Sequence, residues 1–163
     1  YIPVARIADL LLNPGAQIDY NGKRLTYPDI KLIYWAGGNP FHHHQDLNRL
    51  VKAWQRPETI IVHEPWWTAT ARHSDIVLPA TTTLERNDLA ASARDSYLVA
   101  MHQVVKPFGE CRNDYDIFRH AALAADGHRV RGATILPGVS PGSSLPAELF
   151  PICLVARGNR PLG

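Results

Sequence analysis

The run Ile30 to Ala36, IKLIYWA, ends directly on Gly37-Gly38-Asn39-Pro40, and this junction constrains the fold more than any other feature of the chain. Seven residues rich in β-branched and aromatic side chains read as a buried strand. The four that follow are turn formers. From about His44 a helical pattern begins, with Leu47, Leu50, Val51 and Trp54 at i, i+3, i+4 and i+7. Strand, glycine turn and helix in that order turn backbone N–H groups and a helix start toward an anion. Gly37 and Gly38 carry no Cβ, so a ligand can approach the main chain there. The spacing is not the GxGxxG of the usual dinucleotide fold, and a purely structural turn fits it equally well.

The flanking segments extend the pattern. After Arg56-Pro57, Thr59 to His63 (TIIVH) reads as a second strand, completing a unit of about thirty residues, the length of a parallel crossover. A short helix over 68–72 and a third strand over 75–78 follow. This alternation predicts an α/β fold with a doubly wound, mostly parallel sheet. Ligands bind such sheets beyond the carboxyl ends of the strands, here 37–40, 63–66 and 79–83. Upstream, 2–12 reads as a short amphipathic helix, and Asn21-Gly22 between short alternating arms marks a hairpin. Downstream, 81–88 reads as a polar loop and 97–105 as extended. Asn113-Asp114 precede a helix that runs on through Phe118, Ala121 and Ala125. Beyond Gly127 the chain is rich in Pro, Gly and Ser, and 128–163 is expected to be an irregular tail outside an α/β domain of residues 1–127.

Several function classes fall away. The net charge is +2 and the basic residues are scattered, so nucleic acid is not an expected partner. No apolar stretch approaches the ~20 residues that cross a bilayer, so no membrane is expected either. No signal peptide is read at the start, and an opening Tyr-Ile-Pro without Met looks like a cut end. Cys111 and Cys153 have no partner at a metal or redox spacing and read as free thiols. No nucleophile elbow and no Walker lysine is present, so no catalytic residue is assigned.

The polar residues at the strand ends are the candidates for chemistry. His42, His43 and His44 are consecutive and point apart, so they suit an anion or base contact better than a metal, and no metal ligands are assigned. Glu64, just past the second strand, suits a ribose hydroxyl or a guanine edge. Asp114 can do the same, or can serve only as a helix cap. Thr81 to Thr83 suit a phosphate or an ordinary turn. Trp66 and Trp67 could stack on a base, although paired tryptophans more often occupy a core or an interface.

Three runs together, YWAGGNPFHHHQDLNRL (34–50), HEPWWTATARHSDIVLPATTTLERNDL (63–89) and QVVKPFGECRNDYDIF (103–118), closely resemble the molybdopterin oxidoreductase family. Within it they are similar to the branch of biotin sulfoxide, dimethyl sulfoxide and trimethylamine N-oxide reductases. The resemblance covers roughly 1–127 and is collinear. It implies a Rossmann-like domain that holds one molybdopterin guanine dinucleotide of the paired molybdenum cofactor. Gly37, Gly38, Asn39, His43, His44 and Gln45 would line its phosphates. His63, Glu64 and Thr83 would lie along the nucleotide, and Asp114 would read the guanine. The resemblance further implies that in an intact enzyme the metal would cycle between Mo(IV) and Mo(VI) and accept the oxygen of a small S- or N-oxide. The remaining domains of a parent enzyme are implied as partners, and the family's serine ligand to molybdenum has no match here. The chain alone is therefore expected to be inactive as a reductase. An alternative is a non-catalytic module or remnant that takes a guanine nucleotide or pterin. A cytoplasmic location is expected, or a periplasmic one if a leader was lost.

Overall fold

The computed structural model describes residues 2–92, 94, 96–126 and 152–156. After a 3-10 turn at Val4–Arg6 the elements are α1 (Ile7–Leu12), β1 (Gln17–Tyr20), β2 (Lys23–Thr26), β3 (Ile30–Ala36), α2 (Pro40–His43), α3 (Leu47–Trp54), β4 (Thr59–Glu64), α4 (Ala69–Arg72), β5 (Ile76–Pro79), β6 (Asp88–Ala91), β7 (Leu98–Met101), α5 (Asp114–Asp126) and β8 (Ile152–Ala156). The central sheet has the order β5-β4-β3-β8. β3, β4 and β5 run parallel, and β8 closes the β3 edge antiparallel.

The alternation of the strands sorts side chains to two faces. On one face Ile33 and Trp35 of β3 stand beside Ile60 and Val62 of β4. These four pack with Leu10 and Leu11 of α1 and with Leu50, Ala53 and Trp54 of α3 in one apolar core. On the other face Tyr34 and His63 meet Phe118 of α5, with ring centroids 5.5 and 4.7 Å away. Helices on both faces are the doubly wound arrangement that the alternation of elements predicts.

Asp9 of α1 fastens the first face at its edge. The buried Tyr27 donates its hydroxyl to Asp9 Oδ2 at 2.9 Å, and Arg49 of α3 donates to Oδ1 at 2.5 Å. These two hydrogen bonds, Arg49's first, hold the Asp9 carboxyl below the usual carboxylate value. The β1–β2 hairpin turns on Asn21 and Gly22, both at positive φ (50° and 72°), as an Asn-Gly hairpin turn requires.

Three elements depart from the sequence reading. The long helix starts at Leu47 rather than near His44, because Asp46 accepts the Arg49 N–H and caps it. A separate one-turn helix, α2, therefore carries His42 and His43. The loop expected over 81–88 opens as a 3-10 turn held by a Thr82–Glu85 capping box, and Asp88 begins a strand that pairs with β7. In the tail expected to be irregular, ICLVA at 152–156 forms β8. Five apolar residues after a proline are too few for a periodicity argument, and the pairing to β3 is long-range. The rest of 127–163 lies outside the described residues.

Candidate functional site

A cleft of about 480 Å3 opens at the carboxyl ends of β3, β4 and β5. Its floor begins at the Gly37-Gly38 turn. Both glycines have positive φ (78° and 67°), a conformation costly for any residue with a Cβ. A Cβ on Gly38 would meet nothing within 4 Å, so the backbone itself demands the glycine. Trp35 Nε1 donates to the Gly37 carbonyl at 2.7 Å and fixes the turn. The buried Thr70 donates its hydroxyl to Asn39 Oδ1 and orients that amide.

The middle wall comes from β4. Glu64 accepts the Thr68 hydroxyl at 2.8 Å. Burial pushes its carboxyl above the ordinary carboxylate value, and the Thr68 bond offsets part of that rise. The His63 side chain is 1% exposed; its Nδ1 lies 2.8 Å from Asp114 Oδ1 and its Nε2 2.6 Å from the Tyr34 hydroxyl.

The far wall depends on a pairing remote in sequence. Arg112 donates its N–H to the Pro79 carbonyl, and Thr81 donates its N–H to the Arg112 carbonyl, extending β5 by one parallel bridge. This sets Asp114, two residues on, at the end of β4. Asn113, not Asp114, caps α5, since Asn113 Oδ1 accepts the Asp116 N–H at 2.8 Å. The Asp114 carboxylate is thus free of the capping role and stands in the cleft wall. Arg86 reaches across from the 3-10 turn. It donates to Asp88 at 2.8 Å, to the Thr81 carbonyl at 2.7 Å and to Asp114 Oδ2 at 3.3 Å.

Of the ten residues singled out in the sequence, Gly37, Gly38, Asn39, His43, His63, Glu64, Thr83 and Asp114 line this cleft. His44 and Gln45 are not among its lining residues. His44 caps the C-terminus of α2, and its Nε2 is buried without a hydrogen-bond partner among the described residues. Arg86, Thr81 and Thr82 complete the wall. The sequence pointed to both threonines but gave no sign of Arg86, whose place depends on the bridge at Arg112. Thr81 is 4% exposed, and its Oγ1 has no hydrogen-bond partner among the described residues. A buried hydroxyl without a partner at a cleft wall is a group for a ligand to satisfy. Trp66 and Trp67 are both 68% exposed and lie outside the core. Among the described residues no three His, Cys, Asp or Glu side chains converge as metal ligands. No helix among them is long and apolar enough to cross a membrane.

Residues 8–124 match the molybdopterin oxidoreductase family. The chain is 63% identical over 118 residues to a biotin sulfoxide reductase of Cereibacter sphaeroides, covering 72% of this chain and 16% of that protein. It is 60% identical over 125 residues to a dimethyl sulfoxide/trimethylamine N-oxide reductase of the same organism, covering 76% of this chain and 15% of the relative. A trimethylamine-N-oxide reductase of Haemophilus influenzae is likewise 60% identical over 125 residues, with the same coverage of 76% and 15%. The matched stretch thus spans about 15% of the length of these relatives and takes in the glycine turn, all three parallel strands and Asp114. On this evidence the chain belongs to the molybdopterin oxidoreductase family.

Proposed function

We propose that the chain is the part of a molybdenum-dependent S- or N-oxide reductase that grips one molybdopterin guanine dinucleotide. The cleft carries this reading. Residues from three strand ends converge there, and its wall includes a buried threonine hydroxyl with no partner among the described residues. The Gly37-Gly38 turn gives a diphosphate close access to backbone N–H groups, with the Asn39 amide and His43 beside it. Glu64 suits a ribose hydroxyl. Asp114 suits guanine, whose N1–H and N2–H2 both donate and so match a carboxylate. The bound cofactor supplies the oxygen-atom chemistry of the reductase. The residues of this chain bind and orient it.

The relatives are biotin sulfoxide, dimethyl sulfoxide and trimethylamine N-oxide reductases, so a small S- or N-oxide is the substrate class of the intact enzyme. Because this chain spans about 15% of their length, the reductase requires further domains, and this chain alone lacks the activity. Residues 1–127 form the cofactor-holding unit of that assembly. Among the described residues, eight large apolar side chains are exposed from Leu84 to Phe108, including Leu98 at 65% and Phe108 at 82%, and they suit contact with such domains.

A second reading is a guanine-nucleotide module without reductase activity, since the Gly37-Gly38 turn and the Asp114 carboxylate in one cleft suit a free guanine nucleotide as well. Titration separates the two. Tighter binding of the molybdopterin dinucleotide than of GDP supports the first. Equal affinity for GDP and the dinucleotide supports the second.

A further inference from the structure

We propose that His63 and Tyr34 are positioning residues that aim the Asp114 carboxylate at guanine, rather than ligand contacts themselves. This deepens the reading of the cleft given above and rests on it. The His63 side chain is 1% exposed, against 41% for Asp114, so the aspartate meets a ligand and the histidine stands behind it. The imidazole is held on several sides. Phe118 packs 4.7 Å from its ring centroid and Tyr34 5.2 Å, edge to face. Its two nitrogens are taken up by Tyr34 and Asp114, at 2.6 and 2.8 Å.

The hydrogen-bond roles follow from elementary chemistry. A carboxylate only accepts, so the His63 proton sits on Nδ1 and is donated to Asp114 Oδ1. In that tautomer Nε2 accepts, and the Tyr34 hydroxyl donates to it. Tyr34 therefore selects the tautomer, and the tautomer supplies the donor that Asp114 needs. Arg86 donates to the other oxygen, Oδ2, at 3.3 Å. With one fixed donor on each oxygen the carboxylate cannot spin about its last bond. Each oxygen keeps a second lone pair for a ligand. Two such lone pairs, held in one plane, match the two parallel N–H groups of guanine. Hypoxanthine lacks the 2-amino group and can use only one of them.

The test is a calorimetric titration of the full chain with GDP and with IDP, which differ only in that amino group. The unaltered chain should prefer GDP by about tenfold or more, the value of one hydrogen bond to a charged group. Asp114→Asn should abolish the preference. His63→Leu should bring it within about threefold while IDP affinity changes little, because the phosphate grip lies elsewhere. His63→Asn, which keeps an N–H donor near the place of Nδ1, should restore most of it. Tyr34→Phe should lower it by a smaller factor and guards against a His63→Leu variant that does not fold. If Asp114→Asn loses the preference but His63→Leu and Tyr34→Phe keep it, the positioning role is overturned and the guanine reading stands. Equal losses for GDP and IDP in His63→Leu would show a merely structural role. If the unaltered chain binds neither nucleotide, or prefers neither, the guanine reading fails and the positioning role with it.

Discussion

Two aspartates of this molecule are held in nearly the same way and stand in opposite situations. Asp9 accepts from Arg49 and Asn13 on Oδ1 and from the Tyr27 hydroxyl on Oδ2; Asp114 accepts from His63 Nδ1 on Oδ1 and from Arg86 on Oδ2. Each thus has an arginine on one oxygen and an aromatic donor on the other. The Asp9 side chain is 24% exposed and joins α1 to α3 and to the residue after the first hairpin. The Asp114 side chain is 41% exposed and stands in the wall of the cleft. The same clamp joins elements at Asp9 and leaves one side open to the cleft at Asp114. Chemistry alone does not tell the two apart; the cavity beside the carboxylate does.

The comparison can be broken most forcefully at Asp9. Asp9→Ala strands the hydroxyl of Tyr27, which is 2% exposed, and frees Arg49. It should cost about 2–3 kcal/mol of stability by urea denaturation, with nucleotide affinity unchanged in the folded variant. Asp114→Ala should do the reverse. GDP affinity should fall about tenfold or more in calorimetry, with a stability loss of only about 1 kcal/mol from the unpaired His63 N–H. A large stability loss without an affinity change at Asp114 would make it a second fastener.

Gly38 sharpens the same contrast. Its φ of 67° and the open space about it place the cost of a side chain in the backbone. Gly38→Ala should lower stability by about 1–2 kcal/mol, read from the shift in the denaturation midpoint. Affinity should fall as well, since the added methyl stands where a ligand meets the turn.

The smallest effects are those of pH. The folded value of Asp9 lies below its ordinary 3.8, so its stabilisation is present above pH 3.8 and is lost as pH falls through the lower folded value. Glu64 has the opposite sign. Its folded value is raised above 4.5, so ionisation of the carboxyl works against the fold at neutral pH, and the penalty disappears on acidification. Thermal melts across the acid range should show Glu64→Gln slightly more stable than the parent at pH 7 and equal to it once the carboxyl is protonated. Asp9→Asn should flatten the parent's acid loss.

The sequence carried the parts of this site that local rules govern. An apolar run stopping on two glycines and an Asn-Gly pair between alternating arms stand where the local rules put them, and the carboxylate read as just past the second strand is its last residue, Glu64. What it could not carry depends on distance along the chain. Arg86 and Asp114 meet because Arg112 pairs with the backbone at Pro79 and Thr81, a contact between residues more than thirty positions apart. Three histidines in a row gave no sign that Asp46 would cap the next helix and leave His44 outside the cleft. β6, with the sequence DLAA, lacks the β-branched residues that mark a strand and exists through its pairing with β7.

Whether this cleft holds a molybdopterin guanine dinucleotide is decided by calorimetric titration of the full chain with that dinucleotide, with GDP as control. Saturable binding is expected at micromolar or better affinity, tighter than for GDP and weakened by Asp114→Ala. A chain that unfolds cooperatively on heating, and so is folded, yet binds no dinucleotide would contradict it.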